Sequence, residues 1–130
     1  MILLDTCTLL WLSENPPRLT DSIIKLIRNT AVGHRYVSAI TAFEIGVKYH
    51  KGKLVLPKAP QLWFSETISQ RGLCILSMTD RIASRAAGLP DIHRDPADRI
   101  IIATALEYNF IIVTPDEIFK KYPDIHVNWE

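Results

Sequence analysis

The feature that most constrains this chain is a recurrence of short, unbroken apolar runs. They are "MILLD" at 1–5, "RYVS" at 35–38, "LCILS" at 73–77 and "FIIVT" at 110–114. None alternates apolar with polar residues, as a strand with one wet face does. Runs this short and continuous belong to strands covered on both faces. Between them lie the helix-length stretches "LTDSIIKLIRNTA", "TAFEIGVKYHKG", "PQLWFSETISQRG", "TDRIASRAAG" and "DRIIIATALEY". Several open on Thr or Asp, which cap helix N-termini, and three run into Gly. Alternating strands and helices predict an α/β fold of three layers, a central parallel sheet flanked by helices in a Rossmann-like arrangement. A chain of 130 residues suits one domain, 1–130. "ENPPR" (14–18) and "LPKAP" (56–60) read as Pro-rich turns, too short for domain linkers.

Composition narrows the function classes. With 48% hydrophobic and 22% charged residues, the chain has a soluble globular composition, not a disordered one. A formal net charge of +1 sets up no global field for a polyanion, so nucleic-acid binding would need a local basic patch. The longest apolar run, "RIIIATALEYNFIIVT", is interrupted by Glu107, Tyr108 and Asn109, which excludes a membrane span there. No basic-then-apolar leader precedes the first strand, and a cytoplasmic location is expected. Cys7 and Cys74 are too few for a disulfide scaffold and form no metal spacing; both read as buried free thiols.

The chemistry concentrates in carboxylates. Asp5 follows the first apolar run, and Asp116 stands two residues beyond "FIIVT". Asp95 and Asp98 open the helix of "HRDPADRIIIATA", which is apolar nearly all round and so belongs in the interior. Glu44 lies near the start of the helix after "RYVS". Each position has a purely local explanation. Asp5 can cap a helix over "TCTLLWL". Asp95, Pro96 and Asp98 fit N-cap, N1 and N3 of a capping box. Thr114 with Glu117, and Thr41 with Glu44, fit two more, and Glu44 has Lys48 one turn on. The combination resists that explanation. In a parallel sheet with right-handed crossovers, strand ends and helix starts converge on one edge, where α/β proteins keep their ligand sites. Two carboxylates ~4 Å apart repel by roughly 4 kcal/mol at an effective dielectric near 20. A cluster of them needs a cation or raised pKa values. A hard divalent ion, Mg²⁺ or Mn²⁺, is the economical solution, and it suits attack on a phosphodiester.

Positive charge is available nearby. Lys48, Lys51 and Lys53 in "KYHKGK", with Arg94 and Arg99 around the acidic pair, are candidate contacts to an RNA backbone. A solvated helix end explains such a run equally well. His34, His50, His93 and His126 show no ligand spacing, and none is assigned as ligand or base.

"MILLDTCTLLWL", "SAITAFEIGVKYHKGKL", "HRDPADRIIIATA" and "FIIVTPDEIF" together resemble the PIN-domain ribonucleases, in particular the VapC-type toxins of bacterial and archaeal toxin–antitoxin pairs. The likeness runs in the family's order from Ile2 to Phe119. It implies a PIN fold and a metal-dependent endoribonuclease using Mg²⁺, with Mn²⁺ as alternative. By that resemblance Asp5, Glu44, Asp98 and Asp116 form the catalytic, metal-binding set. Asp95 is an auxiliary acid at the pocket edge, and Thr6 and Thr114 are hydroxyl positions near the metal. The resemblance further implies an RNA substrate, a small antitoxin partner covering the pocket, and a homodimer. Trp11, Trp63 and Phe64 are candidates for the apolar surface under that partner, or else ordinary core. A receiver-like phospho-acceptor would share the acidic pocket but gives no reason for four separate acids and the "KYHKGK" patch, and two further rival readings stand beside it. One is a non-catalytic α/β interaction module whose acids are only caps. The other is a haloacid-dehalogenase-like phosphotransferase with Asp5 as nucleophile, which would want an Asp where Cys7 stands.

Overall fold

The computed structural model describes residues 1–14 and 16–129. Its five strands are β1 (Ile2–Leu4), β2 (Arg35–Ser38), β3 (Cys74–Leu76), β4 (Ile111–Val113) and β5 (His126–Asn128). They form one sheet in the order β3-β2-β1-β4-β5, and every pairing is parallel. The four strands expected from apolar runs are present, and β5 adds an edge that the sequence did not announce. "HVN" is short and polar, and among the described residues it pairs only with β4.

Neighbouring residues of β1 explain the layering. Ile2 and Leu4 point into one core with Leu9, Ile23, Val37, Ile45, Trp63 and Val113. Leu3 points the other way, against Ile101, Ile102, Ile112 and Phe119. A strand buried on both faces has no polar residue to spare, hence the unbroken run. The first core is closed by α1 (Thr6–Ser13), α2 (Asp21–Asn29), α3 (Ala39–His50) and α4 (Pro60–Gln70). The second is closed by α6 (Pro96–Tyr108), itself backed by α5 (Asp80–Ala87) through Ile82, Ala86 and Ala103. Ile101 and Ile102 are fully buried, and each such side chain stabilises the fold by about 1.5–3 kcal/mol. Asn109, at φ 57° and ψ 47°, ends α6 in the left-handed conformation that Asn tolerates.

Several expectations change. Trp63 and Phe64 are 8% and 6% exposed and lie in the first core, so they are not surface for a partner. Trp11 is half-buried, with its ring 6.0 Å from Trp129 and the Arg18 guanidinium over its face. Cys7 and Cys74 are free but only half-buried. The "LPKAP" turn leads into α4 as expected, with Pro60 in its first turn. In "ENPPR", Asn15 lies outside the described residues. Among the described residues, no helix is long and apolar enough to cross a membrane.

Candidate active site

The carboxyl ends of β1 and β4, adjacent in the sheet, place Asp5 and Thr114 side by side. Asp5 is 3% exposed and caps α1, its Oδ1 accepting the Thr8 N–H at 2.9 Å. Its Oδ2 accepts the Thr114 hydroxyl at 2.5 Å. Burial pushes its carboxyl above the usual range, against the pull of the Thr114 and Thr8 hydrogen bonds. Thr114 also accepts the Asp116 N–H at 3.0 Å, which folds the chain after β4 back toward Asp5. Asp116 then caps a short 3-10 turn, Glu117–Lys121, through the Ile118 N–H. The capping box expected from Thr114 and Glu117 therefore does not form. Asp116 is the cap, while Glu117 is exposed and pairs with Lys120.

α6 brings the second pair. Asp95 is its N-cap, accepting the Ala97 N–H at 2.9 Å. Asp98 does not close a capping box. The Asp95 N–H that such a box would use donates instead to His93 Nδ1 at 3.2 Å. Asp98 is thus relieved of any capping role. Burial pushes its carboxyl up to about 8, with Asp95, Glu44, Asp5 and Asp116 adding to the shift in that order. Four carboxylates from four parts of the chain therefore act on this fifth.

Glu44 arrives from α3. That helix starts three residues earlier than "TAFE" suggests, because Ser38 caps it through the Ile40 N–H. Glu44 consequently sits in the second turn and not at N3. The freed Thr41 is buried and accepts the Thr6 hydroxyl at 3.1 Å, tying α1 to α3 beneath the acids. Glu44 Oε2 lies 3.8 Å from Lys48 Nζ, whereas its Oε1 is buried with no hydrogen-bond partner among the described residues.

His93, left without a role in the sequence reading, lies inside the site. It is 8% exposed, and its Nε2 is 3.1 Å from Asp98 Oδ2 and 3.0 Å from Asp116 Oδ2. The signal was its place two residues before the N-cap, close enough for the ring to reach the Asp95 N–H. Ligand atoms within 4.8 Å of one another form two overlapping groups, His93–Asp98–Asp116 and Glu44–Asp95–Asp98. Asp98 belongs to both. Asp5 lies outside both groups and joins the site through Thr114 and through its charge.

The basic candidates separate. Arg99 is not available to RNA. Its guanidinium donates to the carbonyls of Ala86, Leu89, Pro90 and His93 at 2.8–3.2 Å, lashing the 86–93 segment to α6. A planar fork of donors answers a basket of carbonyls, and a charge pattern cannot reveal that. Lys51, Lys53 and Arg94 are exposed. Lys51 stands about 10 Å along α3 from Glu44 at the helical rise. Cys7, beside Asp5, has its thiol pushed up to about 11 by burial and is no nucleophile at neutral pH.

The PIN domain family model matches residues 2–125. Among curated relatives, Ribonuclease VapC22 of Mycobacterium tuberculosis is 28% identical over 122 residues, covering 93% of this chain and 91% of that protein. DNA-bound VapBC from Salmonella typhimurium superposes with a TM-score of 0.72 at 22% identity, covering 98% of this chain and 96% of that one. A toxin–antitoxin complex from Klebsiella pneumoniae gives 0.66 at 20% identity, covering 96% and 95%. At these identities the two structures speak for the fold.

Proposed function

The chain belongs to the PIN domain family, and from that membership and its acidic pocket we propose that it is a metal-dependent endoribonuclease, the toxin of a toxin–antitoxin pair. The observation that carries the reading is the wall of α3 and α6. There a buried Glu44 oxygen lacks a partner among the described residues and the Asp98 carboxyl is pushed up to about 8. Neither acid caps a helix, so the reading of all acids as caps leaves this wall unexplained. A hard cation supplies what both lack. Asp5, Glu44, Asp98 and Asp116 would hold it, Mg²⁺ by preference and Mn²⁺ as alternative. When bound, such an ion supplies charge neutralisation at the scissile phosphate and acidifies attacking water.

The remaining residues have definable tasks. Thr114 joins Asp5 to the Asp116 loop, and Thr6 braces α1 against Thr41. Asp95 caps α6 at the rim of the pocket. Lys48, Lys51, Lys53 and Arg94 would hold the RNA backbone without reading sequence. Partnership with a small antitoxin accords with the toxin–antitoxin complex and VapBC assembly named among the structural relatives, and a homodimer is proposed with it. Trp11 and its Arg18 partner offer the partly exposed surface for the antitoxin. The phosphotransferase alternative is disfavoured by Cys7, which stands where that pattern wants an Asp.

The test is cleavage of a structured RNA pool by purified, partner-free protein with Mg²⁺, Mn²⁺ or chelator, beside an identically prepared Asp98→Asn control. Metal-dependent cleavage lost in the control is expected. Equal cleavage by the two proteins would sink the mechanism.

A further inference from the structure

We propose that His93 is a positioning residue whose Nε2–H clamps Asp98 and Asp116 so that their free lone pairs face the cation site. The inference rests on the metal-site reading above and goes beyond it. Hydrogen bonding fixes the ring's tautomer. Nδ1 accepts the Asp95 N–H at 3.2 Å, so in the neutral imidazole the proton is on Nε2. That N–H bonds Asp116 Oδ2 at 3.0 Å, and Asp98 Oδ2 lies 3.1 Å from the same nitrogen, so one ring nitrogen holds acids from two separate elements close to it.

Direct ligation by His93 is the competing role, and the backbone opposes it. A metal-bound histidine donates its other ring N–H to an acceptor. Here the other nitrogen faces a donor, and ligation at Nε2 would set N–H against N–H. The ring is also held in place. The His93 N–H donates to the Tyr122 hydroxyl at 2.7 Å, and its carbonyl accepts from Arg99 at 3.2 Å. The ring stands edge-on to Phe119, 5.5 Å between centroids at 88°. The carbonyl basket around Arg99 thereby serves the site: it anchors the segment that carries the clamp. One donor on a rigid mount holds two carboxyl groups at a set separation before any cation arrives, which is preorganisation of the ligand set.

The test is Mn²⁺ titration of wild type, His93→Leu and His93→Gln, reading free Mn²⁺ by electron paramagnetic resonance, with circular dichroism confirming the fold. His93→Leu should weaken binding by about 10- to 100-fold, as loss of such outer hydrogen bonds does. His93→Gln restores an N–H near the Nε2 position and should recover most of the loss, which a merely space-filling role would not require. A folded His93→Leu that binds like wild type overturns the proposal, as does His93→Gln as weak as His93→Leu. Wild type that binds no Mn²⁺ overturns the metal site itself, a pattern distinct from both. Should His93→Leu not fold, long-range ¹H–¹⁵N correlation on the wild type decides. The Nε2–H tautomer should be present and should persist with saturating Mg²⁺; an Nδ1–H ring overturns the clamp.

Discussion

The acids of the pocket fall into two groups that the fold treats differently. Asp5, Asp95 and Asp116 stand at the starts of α1, α6 and the 3-10 turn, and each accepts a main-chain N–H there. Glu44 and Asp98 project from within α3 and α6 and cap nothing. The first group has a structural occupation besides any chemistry, as N-cap carboxylates ordinarily do. The second has no such occupation: Glu44 faces Lys48 at 3.8 Å and Asp98 faces His93 at 3.1 Å, with burial and like charge weighing on Asp98. Acids that stabilise the fold say little about function, whereas acids that strain it call for an explanation.

Substitutions sharpen that contrast, and the largest effect is on activity. Asp98→Asn and Glu44→Gln should each lower RNA cleavage by at least about 100-fold. In chelator Asp98→Asn should raise Tm, because a buried acid among like charges is removed and no cap is lost. Asp5→Ala should also abolish cleavage, but with a stability loss of about 0.5–2 kcal/mol from the missing cap, read by denaturant unfolding. If Asp98→Asn instead melts lower than wild type in chelator, the two groups are not distinct.

Next in size is Arg99, whose charge is structural. Arg99→Gln should cost about 1.5–3 kcal/mol or more in urea unfolding, since several carbonyls lose a charged donor. Lys51→Gln should leave stability unchanged.

The pH dependence of the metal-free protein separates the groups again. Asp98 titrates at about 8 in the folded chain, against an ordinary carboxylate value in the unfolded one. Below about pH 4 the group is protonated in both states. Between about 4 and 8 the folded chain keeps a proton that the unfolded chain releases, so stability falls as pH rises. Above about 8 the loss is complete. Chelated wild type should therefore lose Tm from pH 5 to 8, more steeply than Asp98→Asn, and Mn²⁺ should bind more tightly over the same rise. The smallest effect is at the basic end of α3. Lys51→Gln should lower the slope of log affinity for RNA against log salt by about 0.7–0.9 per phosphate contact removed, with no change in cleavage sites.

How legible all this was in the sequence depends on the range of each signal. The strand runs, the buried α6 and the acids at strand ends were readable, because periodicity and strand-end placement are local properties that the parallel sheet then brings together. The helix caps were half-readable. Ser38, not Thr41, starts α3, because a hydroxyl two residues before Ile40 N captured the end first, and that shift moved Glu44 from a capping position to the wall. β5 was silent, since a short polar edge strand owes its pairing to β4 and not to its own composition. From the sequence His93 had no assignment and Arg99 read as an RNA-backbone contact. Their tasks differ because one ring faces carboxylates and the other side chain faces carbonyls, which only tertiary geometry decides.

The most direct test of the pocket as an unrelieved cation site is the Tm of wild type and Asp98→Asn, each in chelator and in saturating Mn²⁺. Wild type should start lower than Asp98→Asn and rise with Mn²⁺, because a ligand that binds only the folded state stabilises it. Asp98→Asn should start higher and rise little. A wild-type Tm indifferent to Mn²⁺, together with a lower Tm for Asp98→Asn in chelator, would contradict a repulsive site awaiting a cation.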